Sequence, residues 1–138
     1  MAIKTVGLTQ AVGWEMGARK TFQISHEEAW DRFFSDRGLK IWLGNTKTKY
    51  QDWEPGIALS TKDGITAKLR VLKPYSHIRM AWQKPEWSNE STLQIRVMPS
   101  KDKAVVSFHH EKLKNSRQRA EMMAHWQVVL EKLDELFQ

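Results

Sequence analysis

A chain of 138 residues with 41% apolar side chains, no cysteine and a net charge of +6 can bury roughly two-thirds of its unfolded surface around one core without covalent staples. The missing cysteines exclude a disulfide framework, thiol catalysis and thiolate metal sites, and they fit a reducing compartment, with the cytoplasm as the expected location. The opening Met-Ala-Ile-Lys-Thr-Val has no apolar leader, and no apolar run approaches the ~18 residues of a membrane span, so no membrane insertion is expected.

Residues 1–13 contain Gly7 and Gly13, which weaken any regular element, and are expected to form a loosely held segment before one domain over 14–138. From Trp14 the chain alternates through Met16, Ala18, Phe22 and Ile24, interrupted only by Lys20, which predicts a long first strand. Ser25-His26-Glu27-Glu28 reads as a capping box, in which the serine oxygen accepts from the Glu28 amide while the glutamate reaches back. The helix it starts carries Ala29, Trp30, Phe33 and Phe34 on its buried side. Asp36 is placed to cap a second short helix bearing Leu39, Trp42 and Leu43 and ending at Gly44.

Lys47, Lys49 and Gln51 then alternate with Thr48, Tyr50 and Asp52 in an expected edge strand, and Glu54-Pro55-Gly56 is a turn. Lys62-Asp63-Gly64 is a hairpin signal before Ile65, Ala67, Leu69 and Val71, which mark an inner face. Ile78, Met80 and Trp82 mark the next, and Leu93, Ile95 and Val97 the one after. Ser100 to Lys103 makes a last hairpin, before a strand over 104–111. Residues 61–138 hold 14 basic and 9 acidic side chains, but the bases mostly alternate with apolar residues, as on the solvated side of a half-buried sheet. Nucleic acid is therefore an improbable partner, since interleaved basic and aromatic residues are lacking.

From Asn115 to Gln138, Met122, Trp126, Val129 or Leu130, Leu133 and Leu136 or Phe137 form one apolar stripe, with Arg117, Glu121, Gln127, Glu131, Lys132, Asp134 and Glu135 opposite. The order of elements is strand, two short helices, five or six meander strands and a long helix. It predicts an α+β layer arrangement with an antiparallel sheet of six to seven strands curved around the last helix.

Ala18-Arg-Lys-Thr-Phe-Gln-Ile-Ser-His-Glu-Glu-Ala-Trp30 resembles the opening strand and helix of the family homologous to the activator of heat-shock protein 90 ATPase, a branch of the START-like, birch-pollen-allergen-like superfamily. So do Trp42, Glu54-Pro-Gly56, Asp63-Gly64, Val71-Leu-Lys-Pro74, Ser91-Thr-Leu93, Phe108-His-His-Glu-Lys-Leu113 and His125-Trp126. The resemblance covers about 14–138 and implies the helix-grip fold, often with an apolar cavity between sheet and last helix. Its members include co-chaperones, lipid and aromatic-ligand carriers and cyclases. The co-chaperones carry an additional N-terminal domain for which 138 residues leave no room.

Seven tryptophans either fill the core or wall an aromatic cavity, since each buries about 150–250 Å². The ligand-cavity candidates are Trp30, Trp42, Tyr50, Trp53, Trp82, Trp87, His109, Met122, Trp126 and Val129. Trp53 and Trp87, in turn-rich segments, are also candidates for a cavity mouth or a protein-partner surface. Successive strand residues face opposite ways, so His109 and His110 cannot share one mononuclear metal site; they read as ordinary strand-end histidines, or else one of them projects inward to face a ligand. His125 is expected to cap the edge of the core. No catalytic triad, carboxylate pair, phosphate loop or metal set emerges, and no cofactor is expected. The expected function is binding of an apolar or aromatic small molecule. A protein-interaction or chaperone-associated role is the alternative, and a cyclase- or hydrolase-like enzyme using His109 or His110 a weaker one.

Overall fold

A computed structural model describes residues 8–9 and 13–138, with side chains from Gly13 onward. Most of the N-terminal segment thus lies outside the described residues. Within it, β1 (Leu8–Thr9) pairs with the start of β2 (Gly13–Phe22). After β2 come α1 (His26–Phe33), α2 (Asp36–Trp42), β3 (Ala58–Ser60), β4 (Thr66–Lys73), β5 (His77–Gln83), β6 (Ser91–Ser100), β7 (Lys103–Leu113) and α3 (Ser116–Leu136). The strands form one antiparallel sheet in the order β1-β2-β7-β6-β5-β4-β3. It curves around α3, the helix-grip arrangement expected from the element order.

The stripe on α3 forms one side of the core. Met122, Trp126, Val129, Leu130, Leu133, Leu136 and Phe137 are all buried, against Met16, Phe22, Val106 and Phe108 of β2 and β7. Asn115 caps the helix by accepting from the Gln118 amide at 2.9 Å. At the other end Arg32 donates to the carbonyls of Leu136 and Gln138, placing a cation where the helix dipole favours one. Lys20, the interruption in the β2 alternation, forms an ion pair with Asp134 and ties the strand to α3.

Several local expectations are corrected. Ser25 accepts from the Glu28 amide, but Glu28 turns to Arg32 one helical turn on, rather than back. Ser35, not Asp36, caps α2, accepting from the Gly38 amide at 3.1 Å. Residues 47–52 are not an edge strand: the chain coils into a 3-10 turn over Tyr50–Asp52. Tyr50 and Trp53 there pack against Phe34 and Trp42, and those inward contacts outweigh pairing of a segment without an apolar row. Val71 is exposed, because a bulge between Leu69 and Val71 shifts the register against β5 and reverses which residues face in. β7 runs two residues beyond Glu111, to Leu113.

Candidate functional site

Burial of an indole leaves one N–H that must find an acceptor. Trp30 donates to the Tyr50 hydroxyl, Trp42 to the Phe33 carbonyl and Trp53 to the Thr48 carbonyl. Trp126 donates to His110 Nδ1 at 3.1 Å. Trp82 differs: it is 2% exposed, and its Nε1 has no partner among the described residues.

His110 is the inward histidine, while His109 is on the outer face, within ion-pair reach of Glu15 and Glu111. The placement of His109 in the ligand wall is therefore corrected. Phe108, also fully buried, sets the phase of β7 and places His110 on its side of the sheet. Trp126 can only donate, so His110 Nδ1 is unprotonated and the neutral ring carries its hydrogen on Nε2. That nitrogen lies 2.7 Å from Ser91 Oγ, whose own hydroxyl donates to the Trp82 carbonyl. Every member of this relay is occupied, so His110 has no free nitrogen for a substrate.

Trp53 and Trp87 are buried rather than presented at a surface, which corrects their assignment to an exposed partner face. Trp53 packs into Phe34, Trp42 and Tyr50, and Trp87 packs edge-on against Trp82. Trp126 stacks on Phe108 with centroids 4.5 Å apart. Met122, Trp126 and Val129 thus join a filled core, and neither Met122 nor Trp126 lines any of five surface clefts formed by the described residues.

One of those clefts, of about 300 Å³, brings together two of the sequence candidates, Trp42 and Trp82. Its walls are Ile41 to Gly44 at the end of α2, Asp63 and Ile65 from the β3–β4 turn, Lys84 to Glu86 after β5, and His125 of α3. Gly64, at φ +91°, sits so close to Pro85 that an added Cβ would lie 3.0 Å from its ring. The two turns therefore meet and fix one wall. Lys84 is held by an ion pair with Glu121. A larger cleft, of about 490 Å³, lies between 45–48 and β3, but Thr, Ser, Asn and Lys dominate its lining and no aromatic ring walls it.

His125 was not among the sequence candidates. Its Nε2 is buried without a partner among the described residues, as Trp82 Nε1 is, and the two ring centroids lie 6.4 Å apart. Burial, followed by the charge of Lys84, lowers the His125 pKa to about 4. Burial, with His125 and His109 nearby, lowers that of His110 to about 3. Both rings are neutral near pH 7.

These depressed values make stability pH-dependent. Above the ordinary pKa of 6.5 both rings are neutral, folded and unfolded alike. As pH falls below it, the unfolded chain takes up protons that the folded chain resists, and stability is lost toward pH 4 to 3. The ceiling is about 1.4 kcal/mol per pH unit for each ring, with less expected from the partly solvated His125. Urea midpoints should therefore hold steady above pH 7 and fall by pH 5. An unchanged midpoint at pH 5 would contradict burial of the two rings.

The profile of the family described as activator of Hsp90 ATPase homolog 1-like protein matches residues 23–138. The chain belongs to this family. No curated protein matches it in sequence. Among solved structures, CalU16 from Micromonospora echinospora superposes in its solution structure with a TM-score of 0.79 at 15% identity, over 91% of this chain and 68% of that one. The Aha1 dimer from Colwellia psychrerythraea gives 0.73 at 17% identity, over 89% and 95%. DynU16, from the dynemicin biosynthetic locus, gives 0.76 at 11% identity over 88% of this chain, which spans only 46% of that protein. At these identities the likeness is one of fold. No helix among the described residues is long and apolar enough to cross a membrane.

Proposed function

We propose that this chain is a small-molecule-binding domain that receives an apolar or aromatic ligand in the cleft over Trp42 and Trp82. The carrying observation is the pair of buried, unpartnered nitrogens on two residues lining that cleft, Trp82 Nε1 and His125 Nε2. A buried polar group without a partner costs about 1–3 kcal/mol, so a ligand that completes both is favoured beyond its apolar contact. The volume of about 300 Å³ lies at the lower end for small-molecule sites and suits one or two fused rings. This moves the site from beneath α3, where Trp126 and Phe108 fill the space, to the margin where α2 and α3 approach two turns.

Titration with a panel of mono- and bicyclic aromatic compounds, followed by indole fluorescence and thermal shift, tests the reading. Binding is expected for the wild type and should be lost in Ile41→Trp, which fills the cleft from a partly exposed position on α2. Retained binding in that variant, or none by the wild type across the panel, would reject the site.

A further inference from the structure

We infer that the ligand of this cleft carries a neutral hydroxyl, as an alcohol or phenol, set between the indole N–H of Trp82 and Nε2 of His125. The inference rests on the small-molecule reading and specifies the chemistry at one end of the ligand. Trp82 Nε1 can only donate, so the group facing it must accept. A ligand ammonium fails at that point. The imidazole of His125 presents Nε2 as an acceptor in one neutral tautomer and a donor in the other. A carbonyl satisfies both nitrogens only when His125 donates. A hydroxyl, which donates and accepts, satisfies them in either case.

The charges around the cleft disfavour a carboxylate. Lys40 and Lys84 are balanced in number by Asp63 and Glu86 among the lining residues, and Lys84 is already paired with Glu121. No excess of positive charge is left to offset the desolvation of an anion. His125 is neutral near pH 7 and supplies none. The ring centroids of Trp82 and His125 lie 6.4 Å apart, close enough for one ligand group to reach both rings. Ile41, Leu43 and Ile65 then meet the apolar body.

Four probes with one bicyclic body separate the possibilities: 2-naphthol, 2-methylnaphthalene, 2-acetylnaphthalene and 2-naphthoate, titrated into the full chain at pH 7.5. 2-Naphthol should bind at least about tenfold more tightly than 2-methylnaphthalene, because its hydroxyl adds a hydrogen bond to each nitrogen. 2-Naphthoate should bind most weakly. Trp82→Phe removes the donor while keeping a ring, and should reduce the preference for 2-naphthol over 2-methylnaphthalene. His125→Leu, at the helix margin, should do the same and serves if the Trp82 variant does not fold. Equal affinity for 2-naphthol and 2-methylnaphthalene overturns the hydroxyl inference and leaves the cleft as a binding site. So does preference for 2-acetylnaphthalene or 2-naphthoate, or a 2-naphthol advantage that neither substitution reduces. If none of the four binds, the small-molecule reading falls with it.

Discussion

Trp126→Ala should destabilise the fold by about 3–5 kcal/mol, the range for emptying a large aromatic site in a core. The side chain is fully buried, lies parallel to Phe108 at 4.5 Å and donates to His110. Alanine removes all three contributions at once. A cavity opens, the stacked pair is lost, and His110 Nδ1 is left without a donor in the interior. Trp126→Phe separates the terms: it keeps most of the volume but orphans His110, and should cost about 1–3 kcal/mol. Chemical denaturation of both variants at pH 7.5 supplies the comparison. A loss below roughly 1 kcal/mol for the alanine variant, typical of a surface change, would mean that α3 does not present this face to the sheet.

Gly38→Ala should be nearly as damaging, although it places a good helix former inside a helix. The intrinsic gain is about 1 kcal/mol. Against it, a Cβ at this position would overlap the backbone carbonyls of Arg32 and Phe33. These are main-chain atoms at the end of α1, so no flexible side chain can swing away. Overpacking of this kind costs about 1–3 kcal/mol and sometimes more, and here about 3 kcal/mol or above is expected. Because α2 carries Ile41, Trp42 and Leu43 into the cleft wall, the displacement should also weaken aromatic ligands. A neutral or stabilising outcome in thermal denaturation would show that α1 and α2 are not in backbone contact.

The elements most legible in the sequence were those with a single dominant period. The α3 stripe, the inner faces of β5 and β6, and the hairpins at Gly64 and Lys101 follow from periodicity and turn chemistry alone. Val71 failed because one extra residue at a bulge inverts the face of everything beyond it, and composition carries no mark of the insertion. Trp53 and Trp87 failed for another reason. Turn-rich flanks suggest exposure, but an indole's area rewards folding the turn inward whenever rings such as Phe34 or Trp82 are within reach. The inward placement of His109 was in error, because the parity of β7 is set by Phe108, which turns His110 to the buried side. The cleft was not readable, because its lining comes from α2, two turns and α3, segments brought together only by the tertiary fold.

The relay from Trp126 through His110 and Ser91 to the Trp82 carbonyl joins α3 to β7, β6 and β5 in series. Sliding the helix along its axis, like lifting it from the sheet, breaks the first link and strands the donors and acceptors behind it in a dry interior. The grip is thereby locked in register. Variants meant to hollow the space beneath α3 must first replace Trp126, His110 and Ser91 together with apolar residues of matching volume.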